Sequence, residues 1–167
     1  MRLDSFTVGY SVAEDRLLLQ AIGDGEPQNF WITRRAAGMI ADGIQKALSE
    51  QYRKFGSNKV SAAYVDDLIS FDHTVAAQKN PPKAGTVQGD IQSAPILIYQ
   101  LSYSAESSES CLINLTDANG NGHGYRLTAE MLHALLNLIQ TQCDQAGWGI
   151  RLIKPVSMGL SEESSIH

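Results

Sequence analysis

The chain is poor in cross-links and in charge. Of its 167 residues 19% are charged, aromatics make up 7%, and there are two cysteines. Cys111 and Cys143 are too few and too far apart for a disulfide framework or a zinc knuckle, and read as free thiols in a reducing compartment. No apolar run approaches the roughly 18 residues that suggest a bilayer span. Met1 to Ser5 lack the basic flank and apolar stretch of a secretory leader. These absences lead to the expectation of a cytoplasmic protein that makes no membrane contact.

A basic excess is missing as well. The net charge is −5; residues 1–56 carry seven basic and seven acidic side chains, and residues 57–89 three of each. Residues 90–167 carry three basic side chains (Arg126, Arg151, Lys154) against eight acidic. The deficit therefore falls in the last part of the chain, which would repel a phosphate backbone.

What is present is enough apolar material for a core, at 43% hydrophobic residues. A chain of this length buries roughly 68–70% of its unfolded surface, so neither metal nor disulfide is needed to hold it. The apolar residues are laid out in two similar passages. The first runs Leu17-Leu18-Leu19, a turn at Asp24-Gly25, Phe30-Trp31-Ile32-Thr33, then a helix through Ile40, Ile44 and Leu48. The second runs Leu112-Ile113, a turn at Asn119-Gly120, Tyr125-Arg126-Leu127-Thr128, then a helix through Leu135, Ile139 and Cys143. Each passage has one apolar face that it cannot bury alone, and the nearest cover is the other passage.

Phe6, Val8, Tyr10 and Val12 alternate with smaller residues at a period of two, which predicts a half-buried strand ahead of the first passage. Thr33 and Thr128 sit where helix N-caps belong. Gly38 and Gly43, inside the first helix, imply close packing or local weakness. Tyr64, Leu68, Phe71 and Val75 form a stripe that predicts a second helix over about 61–77. Asn80-Pro81-Pro82 ends it and opens a polar connector over 79–94. Ile96 to Tyr103 predicts a strand, Gly147 a helix end, and Ile150 to Ile153 a final short strand.

The chemistry-bearing residues are scattered. Asp117-Ala118-Asn119-Gly120-Asn121-Gly122 matches the first half of a calcium loop, but Thr128 stands where the bidentate Glu should be, so a structural turn is expected. Gly120, Gly122 and Gly124 have the wrong spacing for a phosphate cradle. Asp66, Asp67, Asp72 and His73 share the middle helix, but His73 falls off the apolar stripe and two turns from Asp66, which predicts a solvated face. His133 is expected on the polar side of its helix and His123 in a turn. Trp31 with Arg34 and Arg35 is the candidate ligand-binding group. Arginine suits carboxylate or phosphate, a tryptophan can stack on a ring, and cations in a first helical turn oppose the helix dipole. Arg126 aligns with Trp31 in the second passage and joins the group.

The order strand, strand, strand, helix, repeated with the leads Phe30-Trp31-Ile32-Thr33 and Tyr125-Arg126-Leu127-Thr128, is similar to the duplicated modules of Pur-alpha and Whirly-type proteins. That resemblance implies sheets with aromatic-bearing basic faces and single-stranded nucleic-acid binding.

These readings predict an α+β fold of internally duplicated antiparallel β-β-β-α units with an extra bridging helix. One domain is expected over 1–155: repeat one over 1–56, bridging helix and linker over 57–94, repeat two over 95–155. A mobile tail is expected over 156–167. The expected function is a non-enzymatic soluble binding or scaffold protein with no cofactor, no metal and no catalytic residues, acting as a homodimer or with a protein partner. Alternatives are a single-stranded nucleic-acid-binding module, which net charge disfavours, and an enzyme with its site at the seam between the halves.

Overall fold

Period-2 patterning and glycine turns give seven strands and three helices in the computed structural model, which describes residues 1–56, 62–79 and 94–153. Strands β1 (Leu3–Ser11), β2 (Arg16–Gly23) and β3 (Glu26–Ile32) form an antiparallel meander. Asp24 and Gly25 take φ of 50° and 80°, as the two-residue turn between β2 and β3 requires. Helix α1 (Arg34–Phe55) follows, then α2 (Ala62–Lys79). The chain continues through β4 (Ile96–Leu97), β5 (Gln100–Ala105), β6 (Cys111–Thr116), β7 (Gly122–Leu127) and α3 (Ala129–Gln145). The class is α+β, with two strand-strand-strand-helix units separated by α2. No helix among the described residues is long and apolar enough to cross a membrane.

Helices α1 and α3 begin alike because their caps are chemically alike. The Thr33 hydroxyl accepts from the Ala36 N–H and the Thr128 hydroxyl from the Met131 N–H, both at 3.2 Å. Gly147, with φ of 65°, ends α3. The Trp148 N–H bonds the Cys143 carbonyl and the Gly147 N–H the Asp144 carbonyl, each at 3.1 Å.

The strands form two sheets, β1-β2-β3-β4 and β5-β6-β7. One seam between them is a parallel bridge between Arg2 and Arg126, where the Arg126 N–H donates to the Met1 carbonyl at 2.9 Å. The other seam is the chain itself. The strand expected over 96–103 is broken in two: Ile96 and Leu97 pair parallel to Phe30 and Trp31, and Gln100 onward pairs with β6 in the second sheet. The break falls at Ile98 and Tyr99, whose N–H groups donate to Trp31 in one sheet and Thr116 in the other. The short strand expected at 150–153 is irregular backbone instead. Glutamine side chains replace its ladder: Gln140 bonds the Ile150 carbonyl and the Leu152 N–H, and Gln45 bonds the Leu152 carbonyl.

The helices are exchanged between sheets. Helix α1 packs on β5 and α3 on β1, so each half covers the other's strands. Gly43 permits this crossing, since a Cβ there would fall well inside contact distance of Leu101 Cδ2, whereas Gly38 has nothing within 4 Å. One core draws on both sheets and all three helices. At its centre Phe30 meets His123 and Tyr125 edge-on, with ring centroids 5.4 and 6.1 Å away. His123 therefore lies in β7 against the core rather than in a turn.

Helix α2 presents a different stripe from the one expected. Val65, Ile69 and His73 are buried while Leu68 is 37% exposed, a rotation of about one residue, or about 100°. The side chains of Tyr64 and Phe71 lie outside the described residues, as do most of the expected connector and the expected tail.

Candidate functional site

Strand register places Gly9, Leu18, Trp31 and Leu97 in one row across the first sheet. Their neighbours Val8, Leu19 and Phe30 point into the core, so this row points away from it. Leu18 is 3% exposed, Trp31 half-buried and Leu97 40% exposed. The row is thus a graded apolar strip on the outward face, deepest at β2 and open at β4. It ends where α1 starts, which sets Arg34 and Arg35 beside it in sequence.

The four residues singled out from sequence go to different places. Arg34 lies over the Trp148 ring, 5.6 Å from its centroid, and so joins α1 to the turn that ends α3. Trp148 in turn donates from Nε1 to Asp15 Oδ1 at 3.0 Å, and the Tyr10 hydroxyl donates to the same oxygen at 2.9 Å. Those two bonds, Trp148 first, hold the Asp15 carboxyl below its ordinary pKa. Arg126 pairs across the second sheet with Leu112 and binds Glu106 at 2.7 Å, which raises its already high pKa. Arg35 is exposed and has no ion-pair partner among the described residues. Trp31 stands with Leu18 and Leu97, at the opposite end of its sheet from the Arg2–Arg126 bridge.

The middle-helix group divides: Asp66 and Asp67 are exposed, as expected of a solvated face, whereas His73 is buried, and so is His133, which was expected on the polar side of its helix. His73 is 5% exposed and His133 3%, and their Nδ1 atoms approach to 3.3 Å across the α2–α3 contact. The His133 pKa is pushed down to about 4, mainly by burial and then by the neighbouring His73. Burial lowers that of His73 too, against an opposing pull from Asn137. Asp72, next in sequence, accepts a hydrogen bond from Tyr52 of α1, and burial followed by this bond raises the Tyr52 pKa. His133 occupies the position in α3 that Gly38 occupies in α1. The signal that could have revealed the pair was Val65-x-x-x-Ile69-x-x-x-His73, a stripe as regular as the one read from Tyr64.

As metal ligands the two histidines lack support. Both Nε2 atoms are buried without a partner among the described residues, whereas a ligating imidazole ordinarily donates its second N–H to a carboxylate, carbonyl or water. Among the described residues no group of three or more His, Cys, Asp or Glu converges as a metal site would require. Asp117, the head of the calcium-like loop, spends its oxygens inside the turn. Oδ1 accepts from the N–H groups of Asn119 and Asn121 at 2.8 and 2.9 Å, and Oδ2 from the Asn121 amide at 2.9 Å. Both cysteines are free and buried, with thiol pKa values raised by burial to about 11 for Cys111 and about 12 for Cys143. A thiol held that high is a poor nucleophile at neutral pH.

An open polar groove of about 470 Å³ runs between α1, α2 and β5. Asp42, Lys46, Glu50 and Arg53 line it from α1, Asp66 from α2 and Tyr103 from β5. Carboxylates outnumber cations there, and Asp72 is not part of it. Inside the core, a void of about 30 Å³ between Leu3, Ala21, Ile113 and Leu135 has room for no more than a water or two. Comparison of the chain with protein-family models, curated proteins and solved structures finds no match.

Proposed function

We propose that the protein is a cytoplasmic binding or scaffold protein that recognises its partner through the outward face of the first sheet, and that the partner is a second copy of the chain. The observation that carries this reading is the Gly9–Leu18–Trp31–Leu97 row, where a tryptophan and a 40% exposed leucine stand side by side on a sheet face. Large aromatic side chains of this kind are the usual anchors of protein contacts, because they cover much area with few rotatable bonds. The chemistry-bearing groups support the same reading. His73, His133 and both thiols are buried, and Asp72 is held by Tyr52.

Sedimentation at micromolar concentration tests it. Wild type is expected to sediment as a dimer, and Trp31→Ser as a monomer with a nearly unchanged unfolding midpoint. A wild type that is monomeric, or a Trp31→Ser dimer, contradicts the proposal.

A second reading is favoured by one observation: Arg35, unpaired among the described residues, opens α1 four residues after Trp31. Stacking on Trp31 with a cation beside it would suit single-stranded nucleic acid, as the likeness to Pur-alpha and Whirly-type modules implies. With Trp148→Phe leaving Trp31 as the sole tryptophan, quenching by an oligonucleotide that weakens steeply with salt would support this second reading over the first.

A further inference from the structure

We propose that His73 and His133 form an acid-sensitive latch that holds α2 on α3 when both rings are neutral and lets α2 open when either is protonated. The geometry carries it. The two rings face each other across the helix–helix contact with Nδ1 atoms 3.3 Å apart and ring planes 46° apart, both nearly sealed from solvent. A neutral pair can share one hydrogen bond, with one ring donating from Nδ1 and the other accepting there. The donor ring is then bare at Nε2 and the acceptor ring carries its proton at Nε2. Among the described residues neither Nε2 atom has a hydrogen-bond partner within reach. Both rings are nearly sealed from solvent, so protonation places a poorly solvated cation inside the contact.

The surroundings do not rescue that cation. On α1 the Tyr52 hydroxyl donates to Asp72. From α2 the facing group is Asp72, which favours charge on His133 but is outweighed by burial and by His73. From α3 it is the Asn137 side chain, which favours charge on His73 and is likewise outweighed. Asp66 and Asp67 on α2 are exposed.

The sign of the pH dependence follows. Both folded-state pKa values lie below the ordinary 6.5, so the open form binds more protons, and closure is strongest above 6.5 and weakens as pH falls toward the folded values. For His133 alone, with a folded value of about 4, moving from about pH 7.5 to about pH 5.5 raises the open fraction about tenfold, and His73 adds in the same direction.

Hydrogen exchange of the full chain reads this directly, each amide rate being divided by its intrinsic rate at the same pH. The latch predicts that α2 amides lose at least about tenfold in protection between those two pH values while β2 amides do not, that His133→Gln diminishes the loss, and that the double variant His73→Gln/His133→Gln abolishes it. Protection of α2 that is unchanged by acid, or an acid effect that persists in the double variant, overturns it. Should the double variant fail to fold, nitrogen-15 imidazole spectra of wild type decide. Two different tautomers that both titrate below 6.5 support the latch, and a ring that titrates at or above 6.5 overturns it.

Discussion

The two sheets carry equivalent outward rows that differ in chemistry. In the first, Gly9, Leu18, Trp31 and Leu97 lie side by side; in the second, Ser104, Leu112 and Arg126 do. Trp31 and Arg126 stand at the same place, two residues before a threonine cap. One is an apolar ring set beside an exposed leucine, and the other is a cation already neutralised by Glu106. Similar backbones thus present an apolar row in one half and an ion-paired row in the other. The helices differ in the same way. Where α1 has Gly38 with nothing against it, α3 has His133 pressed against His73.

The largest difference between the halves is expected in the core. Leu48 and Cys143 occupy matching, fully buried positions on α1 and α3. Leu48→Ala is expected to cost about 2–5 kcal/mol. Cys143→Ala removes a single sulfur and is expected to cost about 1 kcal/mol, the scale of one buried methylene-sized group. Urea unfolding of both variants checks the pair, and equal losses would mean that the two positions are not packed as described.

The next largest effect lies within α1. Gly43→Val drives a side chain into Leu101 and is expected to destabilise by about 1–3 kcal/mol. Gly38→Ala meets nothing and is expected to stabilise by up to about 1 kcal/mol. A loss at Gly38 would show a contact on that side of α1. The caps provide a symmetric control: Thr33→Ala and Thr128→Ala should each cost about 0.5–2 kcal/mol, and by similar amounts, since their geometry is the same. Smallest of all, Arg126→Ala removes an exposed ion pair and should leave the unfolding midpoint where it is.

Much of the fold was legible because it depends on local chemistry. The Asp24-Gly25 turn, the threonine caps and the Gly147 stop can each be read from a few neighbouring residues, and all three form as expected. The break at Ile98-Tyr99 was not legible, since it depends on Trp31 and Thr116 competing for one extended segment across a long stretch of chain. Nor was the lack of a strand at 150–153, where distant Gln45 and nearby Gln140 supply bonds that a neighbouring strand would otherwise provide. The histidine pair was missed for a different reason. Helical periodicity gives the spacing of a stripe but not its phase, and α2 offers two stripes one residue apart. Tyr64 and Leu68 look the more apolar choice, yet Val65, Ile69 and His73 are the ones buried, because His73 meets His133 from a helix 60 residues further along. The candidate group Trp31, Arg34, Arg35 and Arg126 was chosen by residue type. Register divides it, leaving Trp31 in the apolar row, Arg34 against Trp148 and Arg126 on Glu106.

The most direct measurement of whether recognition resides in the first half is an amide chemical-shift map across a dilution series of the wild-type chain. Shifts with concentration are expected to cluster at Gly9, Leu18, Trp31 and Leu97, while Ser104, Leu112 and Arg126 stay still. Shifts concentrated on the second sheet, or none on either, would contradict recognition through the first half.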